Sequence, residues 1–339
     1  MAPRSDDRDA GEAREAGATT GVRLRVLMEP RHGARYDEIL ALALAVEEAG
    51  FDAFFRSDHL FGVDPEDRTF RPTDCWTTIG GLARDTRRVR LGALMGAATF
   101  RHPGLLANIV ASADEMSGGR VELGLGTGWY EREHEAFGIP FPPTAGERFD
   151  RFEEQLAIIK GLWTVPEDDT TGFSFDGVHW QVKNNHAPPR PTQSPHPPIL
   201  IGGSGPKRTP ALAARYADEF NTALGDDDAV RERHERFSRA CEAIGRDPAE
   251  ARRSSVVPVA CGTTKDEVDR RAEIIGSDFM RRHAAIGSPE LVTERIAALA
   301  ALGADTVYLH IYDIHDLDHI ALIGAEVLPH TASMKVGAP

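Results

Sequence analysis

The chain contains an apolar segment that ends in three side chains able to take part in proton transfer. Residues 50–60 read GFDAFFRSDHL, so the apolar run leads directly into Ser57, Asp58 and His59. Burying such groups without partners costs roughly 2 to 7 kcal/mol each, so we expect this strand to end at a solvated surface. Histidine has an unperturbed pKa of about 6.5 and suits acid or base catalysis near neutral pH. The alternative interpretation is a polar cap at the start of a helix.

A glycine-rich turn, GLGTGW, follows another apolar segment, and its last four residues are Gly126, Thr127, Gly128 and Trp129. The dinucleotide fingerprint is G-x-G-x-x-G in the first βα turn, whereas this pattern is G-x-G-x-G and comes later in the chain. A Rossmann domain is therefore disfavoured. The glycines still indicate a close approach to the backbone or a positive φ.

A second glycine-rich turn lies within ILIGGSGPKRTP, where an apolar run precedes a helix expected to begin near Pro206. Exposed backbone N–H groups before a helix bind anions, which predicts a phosphate site in this turn. Its residues are Gly202, Gly203, Ser204 and Gly205. A tight turn that binds nothing is the alternative.

The segment DIHDLDHI, residues 313–320, offers His315 and His319 at the i, i+4 spacing of metal ligands on a helix. No H-E-x-x-H or H-x-H motif accompanies them, and aspartates commonly cap helix starts. We therefore expect no metal site here.

These motifs alternate with segments that predict their positions. Apolar or β-branched runs, nearly all followed by helical patterns, occupy residues 22–29, 51–57, 88–96, 120–126, 197–203, 218–224, 254–262 and 305–312. Eight such units predict a (β/α)8 TIM barrel over residues 21–330, with chemistry at the carboxyl ends of its strands. Residues 164–196, rich in Pro, Gly and Asp, predict an insertion before strand five, with a hairpin turning at Asp176-Gly177. His310 in the last strand either faces the barrel top or is a hydrogen-bonded core residue.

Composition excludes several classes of partner. The 339 residues are 41% hydrophobic and carry a formal net charge of −14, which argues against nucleic acid or an anionic membrane as a partner. No apolar run approaches the 18 or more residues of a membrane helix. Cys75, Cys241 and Cys261 are too dispersed for a disulfide framework, so we expect a cytoplasmic protein. Residues 1–20 predict a disordered tail, and residues 331–339 a C-terminal tail.

The motifs and their order resemble the luciferase-like monooxygenase superfamily, and within it the oxidoreductases that use the deazaflavin coenzyme F420. The resemblance runs from about residue 22 to 328. It is carried by GFDAFFRSDHL, RVRLGALMGAATFRHPGLLANIVASADEMSGGRVELGLGTGWYEREHEAFGIPF, RFDRFEEQLAIIKGLW and PPILIGGSGPKRTPALAARYADEFN.

This resemblance implies a flavin-like ring at the carboxyl end of the barrel, backed by a bulge in strand three. The bulge would contain a non-prolyl cis peptide at Leu94-Met95, beside Gly96. The resemblance places the ring-edge contacts at Asp58, His59 and residues 126–128, and the phosphate contacts in the turn at residues 202–205. In the glucose-6-phosphate dehydrogenase branch an acidic proton donor follows GTG, whereas this chain has Trp129, so oxidation of a sugar phosphate is in doubt.

The expected function is hydride transfer between F420 and a small organic substrate, with His59 exchanging the proton and Asp58 either orienting the imidazole or binding the ring. The runner-up is an FMN-dependent monooxygenase supplied with reduced flavin by a separate reductase. A barrel that binds flavin without catalysis is a third hypothesis. A homodimer is usual for the resembling family, and the sequence does not identify the substrate.

Overall fold

The computed structural model describes residues 21–30, 33–62, 72–166, 168–186 and 188–338. Its strands are β1 (Arg23–Met28), β2 (Ala53–Arg56), β3 (Arg90–Ala93), β4 (Gly96–Ala97), β5 (Val121–Gly126), β6 (Phe173–Asp176), β7 (Gln181–Asn185), β8 (Ile199–Gly202), β9 (Glu219–Thr222), β10 (Arg252–Cys261), β11 (Ala285–Gly287) and β12 (Thr306–Ile311). Its helices are α1 (Tyr36–Glu48), α2 (Cys75–Asp85), α3 (Pro103–Ser117), α4 (Glu131–Phe137), α5 (Ala145–Trp163), α6 (Arg208–Tyr216), α7 (Asp227–Ala243), α8 (Lys265–Ile274), α9 (Asp278–Arg282), α10 (Pro289–Ala301), α11 (Leu317–Glu326) and α12 (Leu328–Thr331).

The strands close into a parallel barrel. Its order is β1-β2-β3-β5-β8-β9-β10-β12, and β12 pairs again with β1. The short strand β4 continues the third barrel strand and also pairs with β5. Each of the eight segments predicted as strands contributes one barrel strand, so the predicted (β/α)8 fold is confirmed. All carboxyl ends of the barrel strands therefore lie at one end of the molecule.

Helix α1 illustrates how the sequence builds the outer layer. Its buried residues Ile39, Leu42, Ala43 and Val46 recur at spacings of three and four, which places them on one face against the barrel. The chain then reverses at Gly50, whose φ of +87° is readily adopted by glycine. Such amphipathic helices bury the outer faces of the strands.

The amino-terminal end of the barrel interior is filled by a charged cluster that the sequence did not predict. Arg25 Nη1 donates to Glu122 Oε2 (2.7 Å) and to the hydroxyl of Tyr308 (2.9 Å), and Arg25 Nε donates to Asp52 (2.6 Å). The Tyr308 hydroxyl in turn donates to Glu219 (2.9 Å). Because Arg25, Glu122, Glu219 and Tyr308 are buried, their hydrogen bonds replace those lost with water.

An apolar layer lies above this cluster inside the barrel. It is formed by Leu27, Ala53, Phe55, Leu94, Leu200 and Tyr308. The rings of Phe55 and Tyr308 meet edge to face, with centroids 5.1 Å apart. The polar cluster and this layer together fill the lower barrel, and they leave the carboxyl ends of the strands to form a site.

The segment before the fifth barrel strand contains the predicted hairpin, formed by β6 and β7. Its turn is a loop at residues 177–180 rather than a two-residue turn at Asp176-Gly177, because Asp176 pairs with Gln181. The Glu154 carboxylate on α5 accepts the N–H groups of three loop residues, Val178, His179 and Trp180, and so fastens the hairpin to the barrel helices.

Two predicted terminal segments have different outcomes. Residues 1–20, predicted as a disordered tail, lie outside the described residues. Residues 332–338, from the predicted C-terminal tail, lie against the amino-terminal end of the barrel. There the Gly337 N–H donates to the Ala300 carbonyl (2.8 Å), and Arg253 donates to the carbonyls of Gly337 and Ala338 (3.2 Å each).

Candidate active site

The polar triplet after β2 lies at the carboxyl end of the barrel, but its members differ in exposure. Ser57 and Asp58 are buried, whereas the His59 side chain is 24% exposed. The prediction that this strand ends at a solvated surface is therefore wrong for Ser57 and Asp58, which are buried. It failed because it did not foresee a cationic partner for the buried carboxylate.

That partner is Arg101, in the loop before α3. Its two terminal nitrogens lie 2.5 and 3.1 Å from the Asp58 carboxylate oxygens, and one of them also contacts Asp74 (2.9 Å). Burial raises the pKa of Asp58, and the charge of Arg101 only partly opposes this effect. The arrangement fixes Asp58 as the partner of Arg101, and within the described chain its side chain makes no hydrogen bond to His59.

The imidazole of His59 instead contacts Glu133 on α4, a helix that the sequence did not predict. His59 Nδ1 lies 3.2 Å from Glu133 Oε2, and the same oxygen accepts the Leu60 N–H (3.0 Å). Burial lowers the pKa of His59, but the hydrogen bond and charge of Glu133, aided by Glu29, reverse the effect and leave the pKa raised. A positively charged His59 is thus stabilised beside the upper barrel.

The third barrel strand is interrupted between β3 and β4, where the Leu94-Met95 peptide is cis, as the resemblance implied. The Met95 side chain reaches over the neighbouring strand ends, because a Cβ added to Gly202 would lie 2.7 Å from Met95 Cε. A Cβ at Gly96 would lie 3.3 Å from Asp58 Oδ2. The interruption therefore brings the predicted cofactor residues Leu94, Met95 and Gly96 to the same end of the barrel as Asp58.

The two glycines of the turn after β5, Gly126 and Gly128, differ in the space available for a side chain. At Gly126, an added Cβ would lie 3.7 Å from the Gly202 carbonyl oxygen and 3.9 Å from Met95 Cβ, which are ordinary contact distances, so the fold does not require glycine here. Gly128 has φ +76°, and an added Cβ would lie 2.4 Å from Thr99 Oγ1, so here glycine is required by the fold. Thr127 is half-buried between them, and Trp129 is 64% exposed and stacks on Tyr130.

The predicted phosphate ligands in the turn after β8 differ in the hydrogen bonds that their backbone N–H groups make. Gly203, with φ +142°, donates its N–H to the Asn221 carbonyl (3.4 Å) and so belongs to the sheet. Within the described chain, the N–H groups of Ser204 and Gly205 have no acceptor. Helix α6 begins at Arg208 rather than near Pro206. The anion-binding capacity of this turn therefore rests on residues 204 and 205.

The other histidines that the sequence singled out are His310, His315 and His319. His310 faces the barrel interior, is buried, and packs on Tyr312 with ring centroids 4.3 Å apart. His319 Nε2 accepts the Cys261 N–H (2.9 Å), and burial lowers the pKa of His319 to about 4. His315 is largely exposed. Among the described residues, no three His, Cys, Asp or Glu side chains are grouped so as to hold a metal ion.

The residues at this end of the barrel fit a flat cofactor that carries a phosphate. Gly126 and Gly202 end adjacent strands, and the apolar Met95 side chain packs against the backbone of both. Ser204 and Gly205 offer to an anion N–H groups that have no acceptor among the described residues. His59 supplies a partly exposed imidazole at the same end of the barrel, next to Trp129 and Glu133 in the segment that follows β5. The arrangement can therefore bind a cofactor and exchange a proton at one site.

The fold and the family comparison define the class. The family model for luciferase-like monooxygenases matches residues 18–279, and the chain belongs to this family. Across the described residues, no helix combines the length and the apolar character needed to cross a bilayer.

Curated relatives include F420-dependent enzymes. The chain is 37% identical over 194 residues to an F420-dependent glucose-6-phosphate dehydrogenase of Microbacterium testaceum, a match that covers 56% of this chain and 54% of that protein. It is 32% identical over 216 residues to the F420-dependent hydroxymycolic acid dehydrogenase of Mycobacterium tuberculosis, covering 63% and 56%. The chain thus spans about half the length of these relatives.

Solved structures share the fold. An F420-dependent secondary alcohol dehydrogenase in complex with an F420-acetone adduct superposes with a TM-score of 0.78 at 17% identity, covering 90% of this chain and 98% of that one. A monooxygenase from Streptomyces bottropensis gives a TM-score of 0.76 at 23% identity, covering 91% and 99%. At these identities the likeness establishes the barrel architecture.

Proposed function

We propose that this protein is an F420-dependent oxidoreductase that moves a hydride between the deazaflavin and a small organic substrate. The observation that carries the proposal is the partly exposed imidazole of His59, held at the same barrel end as the glycine-lined surface of β5 and β8. The names of the F420-dependent relatives support the choice of cofactor. The chemistry follows from the site, since a TIM barrel hosts many activities.

Each group at the site has a distinct task in this proposal. When bound, F420 supplies hydride chemistry at its ring. Leu94, Met95 and Gly96, together with Gly126, Thr127 and Gly202, border the ring, and Ser204 and Gly205 hold the phosphate through their N–H groups. His59 takes or returns the substrate proton, a role for which histidine is suited, and the contact with Glu133 raises the pKa of this imidazole. Trp129 covers the outer side of the mouth, next to His59.

The alternative is an FMN-dependent monooxygenase served by a separate flavin reductase. A relative from Pseudomonas putida, an FMNH2-dependent dimethylsulfone monooxygenase, is 26% identical over 267 residues and covers 67% of this chain. Both cofactors have a flat ring and a phosphate, so the residues described fit either one.

The substrate is a small molecule in this proposal, and the position after GTG argues against a sugar phosphate. Trp129 places an exposed aromatic ring there, 6.0 Å from the His59 ring centroid, where the resembling dehydrogenases have an acid. We further propose a homodimer and a cytoplasmic location. The three cysteines are buried and unpaired, as a reducing compartment allows.

Cofactor titration tests the proposal. F420 and FMN are added separately to the protein, and tryptophan fluorescence is followed in the wild type and in Trp129→Phe. We expect saturable quenching by F420 at lower concentration than by FMN, and a smaller change in the variant. Tighter binding of FMN would favour the monooxygenase, and binding of F420 without hydride transfer to any alcohol, imine or enone tested would favour a non-catalytic barrel.

A further inference from the structure

We propose that Glu133 is the positioning residue of His59, and that it fixes which imidazole nitrogen faces the substrate. This inference rests on the proposed function for its catalytic meaning, but the geometry that carries it does not depend on a cofactor. An ionised carboxylate can only accept hydrogen bonds, so the contact between Glu133 Oε2 and His59 Nδ1 requires the proton on Nδ1. In neutral His59, Nε2 is then the nitrogen that can accept a proton.

The carboxylate is held in place by more than the imidazole. Glu133 is 2% exposed, and its Oε2 also accepts the Leu60 N–H, which joins α4 to the loop that carries His59. Truncation of Glu133 would therefore release both the ring and its loop. To distinguish the effect of the charge from that of the side-chain shape, the substitution must keep a hydrogen-bond acceptor at the position of Oε2.

Helix α4 is itself anchored on both sides of the site. The hydroxyl of Tyr130, which precedes the helix, donates to the Gly62 carbonyl (2.9 Å). On the other side His134, the residue after Glu133, contacts the Tyr130 carbonyl (2.8 Å) through Nδ1 and Thr99 Oγ1 (2.7 Å) through Nε2. These contacts fix the direction from which Glu133 approaches, so the carboxylate can orient the ring at little entropic cost.

The charged groups around His59 come from three elements. Glu133 approaches from α4, Glu29 lies after β1, and Asp58 precedes His59 in the chain, and each favours the protonated ring. Asp58 is paired with Arg101, whereas the Glu133 carboxylate is in hydrogen-bond contact with the ring. Removing the charge of Glu133 should therefore lower the pKa of His59 more than removing the charge of Asp58.

The test uses the cofactor-free full chain labelled with ¹⁵N-histidine. The His59 signals are assigned by their loss in His59→Gln, and ring nitrogen shifts are followed against pH. We expect wild-type His59 to be protonated at Nδ1 when neutral, with a raised pKa. Glu133→Gln offers one amide oxygen in place of Oε2, so it should keep the Nδ1–H form while the pKa falls. Glu133→Ala should lose the preference for Nδ1–H, and Glu135→Gln, an exposed neighbour on α4, should change neither quantity.

A chemical readout accompanies the spectra. Diethylpyrocarbonate acylates neutral imidazole, and mass spectrometry of the His59 peptide gives the rate at pH 6. A lowered pKa makes more of the ring neutral at that pH, so Glu133→Gln should react faster than the wild type. If Glu133→Ala does not fold, Glu133→Gln still decides the question. An unchanged His59 pKa and reaction rate in Glu133→Gln would overturn the proposal, whichever cofactor the titration supports.

Discussion

Asp58 and His59 are neighbours in the chain, yet their side chains belong to separate networks. Asp58 accepts two hydrogen bonds from Arg101, whereas His59 contacts Glu133, which lies 74 residues further along the chain. The end of β2 therefore carries two different features. One is the buried ion pair of Asp58 with Arg101 in the loop before α3, and the other is the partly exposed imidazole of His59. This division separates the effects expected from substitutions at the two positions.

Removing the cation beside Asp58 should destabilise the fold. In Arg101→Leu the buried carboxylate loses its partner, and the free energy of unfolding should fall by about 3 to 5 kcal/mol. Arg208→Leu, which breaks the more exposed pair with Asp150, should cost about 1 kcal/mol or less. Urea denaturation of both variants measures the difference. Equal losses would show that burial of the Asp58 pair has no energetic consequence.

His59 should be needed for turnover and not for folding. We expect His59→Ala to reduce kcat by on the order of 10² to 10⁴ with any substrate for which F420-dependent turnover is measured, because that is the usual contribution of an acid or base. F420 affinity and melting temperature should stay near wild type. His315→Ala, at an exposed histidine, is the control. Unchanged kcat, with chemistry rate-limiting, would remove His59 from the mechanism.

In the turn after β8, Ser204 should contribute to cofactor binding, whereas Gly203 should contribute to the stability of the fold. Ser204→Ala should weaken F420 binding by about 1.5 to 3 kcal/mol, roughly tenfold to a hundredfold, if its hydroxyl meets the charged phosphate. Binding of the phosphate-free deazaflavin core should not change. Gly203→Val should instead lower the melting temperature, because Gly203 has φ +142° and its N–H lies in the sheet. Calorimetric titration of Ser204→Ala with F420 and with the phosphate-free core measures the two affinities. An equal loss of affinity for the two ligands would refute the phosphate contact.

The buried cluster should make stability depend on acid through Glu122. Burial alone raises the pKa of Glu122, but Arg25, Arg90 and Arg252 outweigh it and bring the pKa to about 2. Since the unfolded value is about 4.3, the stabilisation is present above that pH and is lost as pH falls towards 2. Glu122→Gln should therefore flatten the fall in unfolding free energy between pH 5 and pH 3.

Glu219 in the same cluster should behave differently. Burial raises the pKa of Glu219, and Arg25 only partly opposes this. A carboxyl whose folded pKa is raised loses stability as pH rises, so removing its charge should cost little at pH 7. We expect Glu219→Gln to be milder than Glu122→Gln at that pH, measured by urea denaturation. The reverse order would contradict the assignment of the charges.

The predicted homodimer can be tested at an apolar surface of α3. Leu105, Ile109 and Met116 are exposed there, and spacings of four and seven residues place them on one helix face. We expect Ile109→Glu to convert a dimer into a monomer in light scattering, whereas Leu44→Glu, at an exposed leucine of α1, should not. A monomeric wild type would show that the dimer prediction is wrong.

The barrel was predictable because buried parallel strands appear as short apolar runs, and all eight were identified from the sequence. A local motif also indicated His59, and the resemblance to the family implied the bulge at Leu94-Met95. Glu133 and Arg101 were missed because they meet His59 and Asp58 across 74 and 43 residues of chain. Within EREHEAF, Glu131, Glu133 and Glu135 have the same chemistry, and tertiary packing decides that Glu133 is the buried one.

The charged cluster in the lower barrel has a consequence for how the chain folds. Arg25 is 97 residues from Glu122 and 283 from Tyr308, and Tyr308 is 89 from Glu219. Tyr308 joins Arg25 and Glu219 only when the first and last strands meet, so a partly assembled barrel that excludes water there leaves polar groups of the cluster without a partner. Such intermediates are penalised relative to the closed ring, and the cluster should make the final step of assembly strongly cooperative. A chain truncated before β12 would then retain much of the apolar sequence yet lack the hydroxyl that links Arg25 to Glu219.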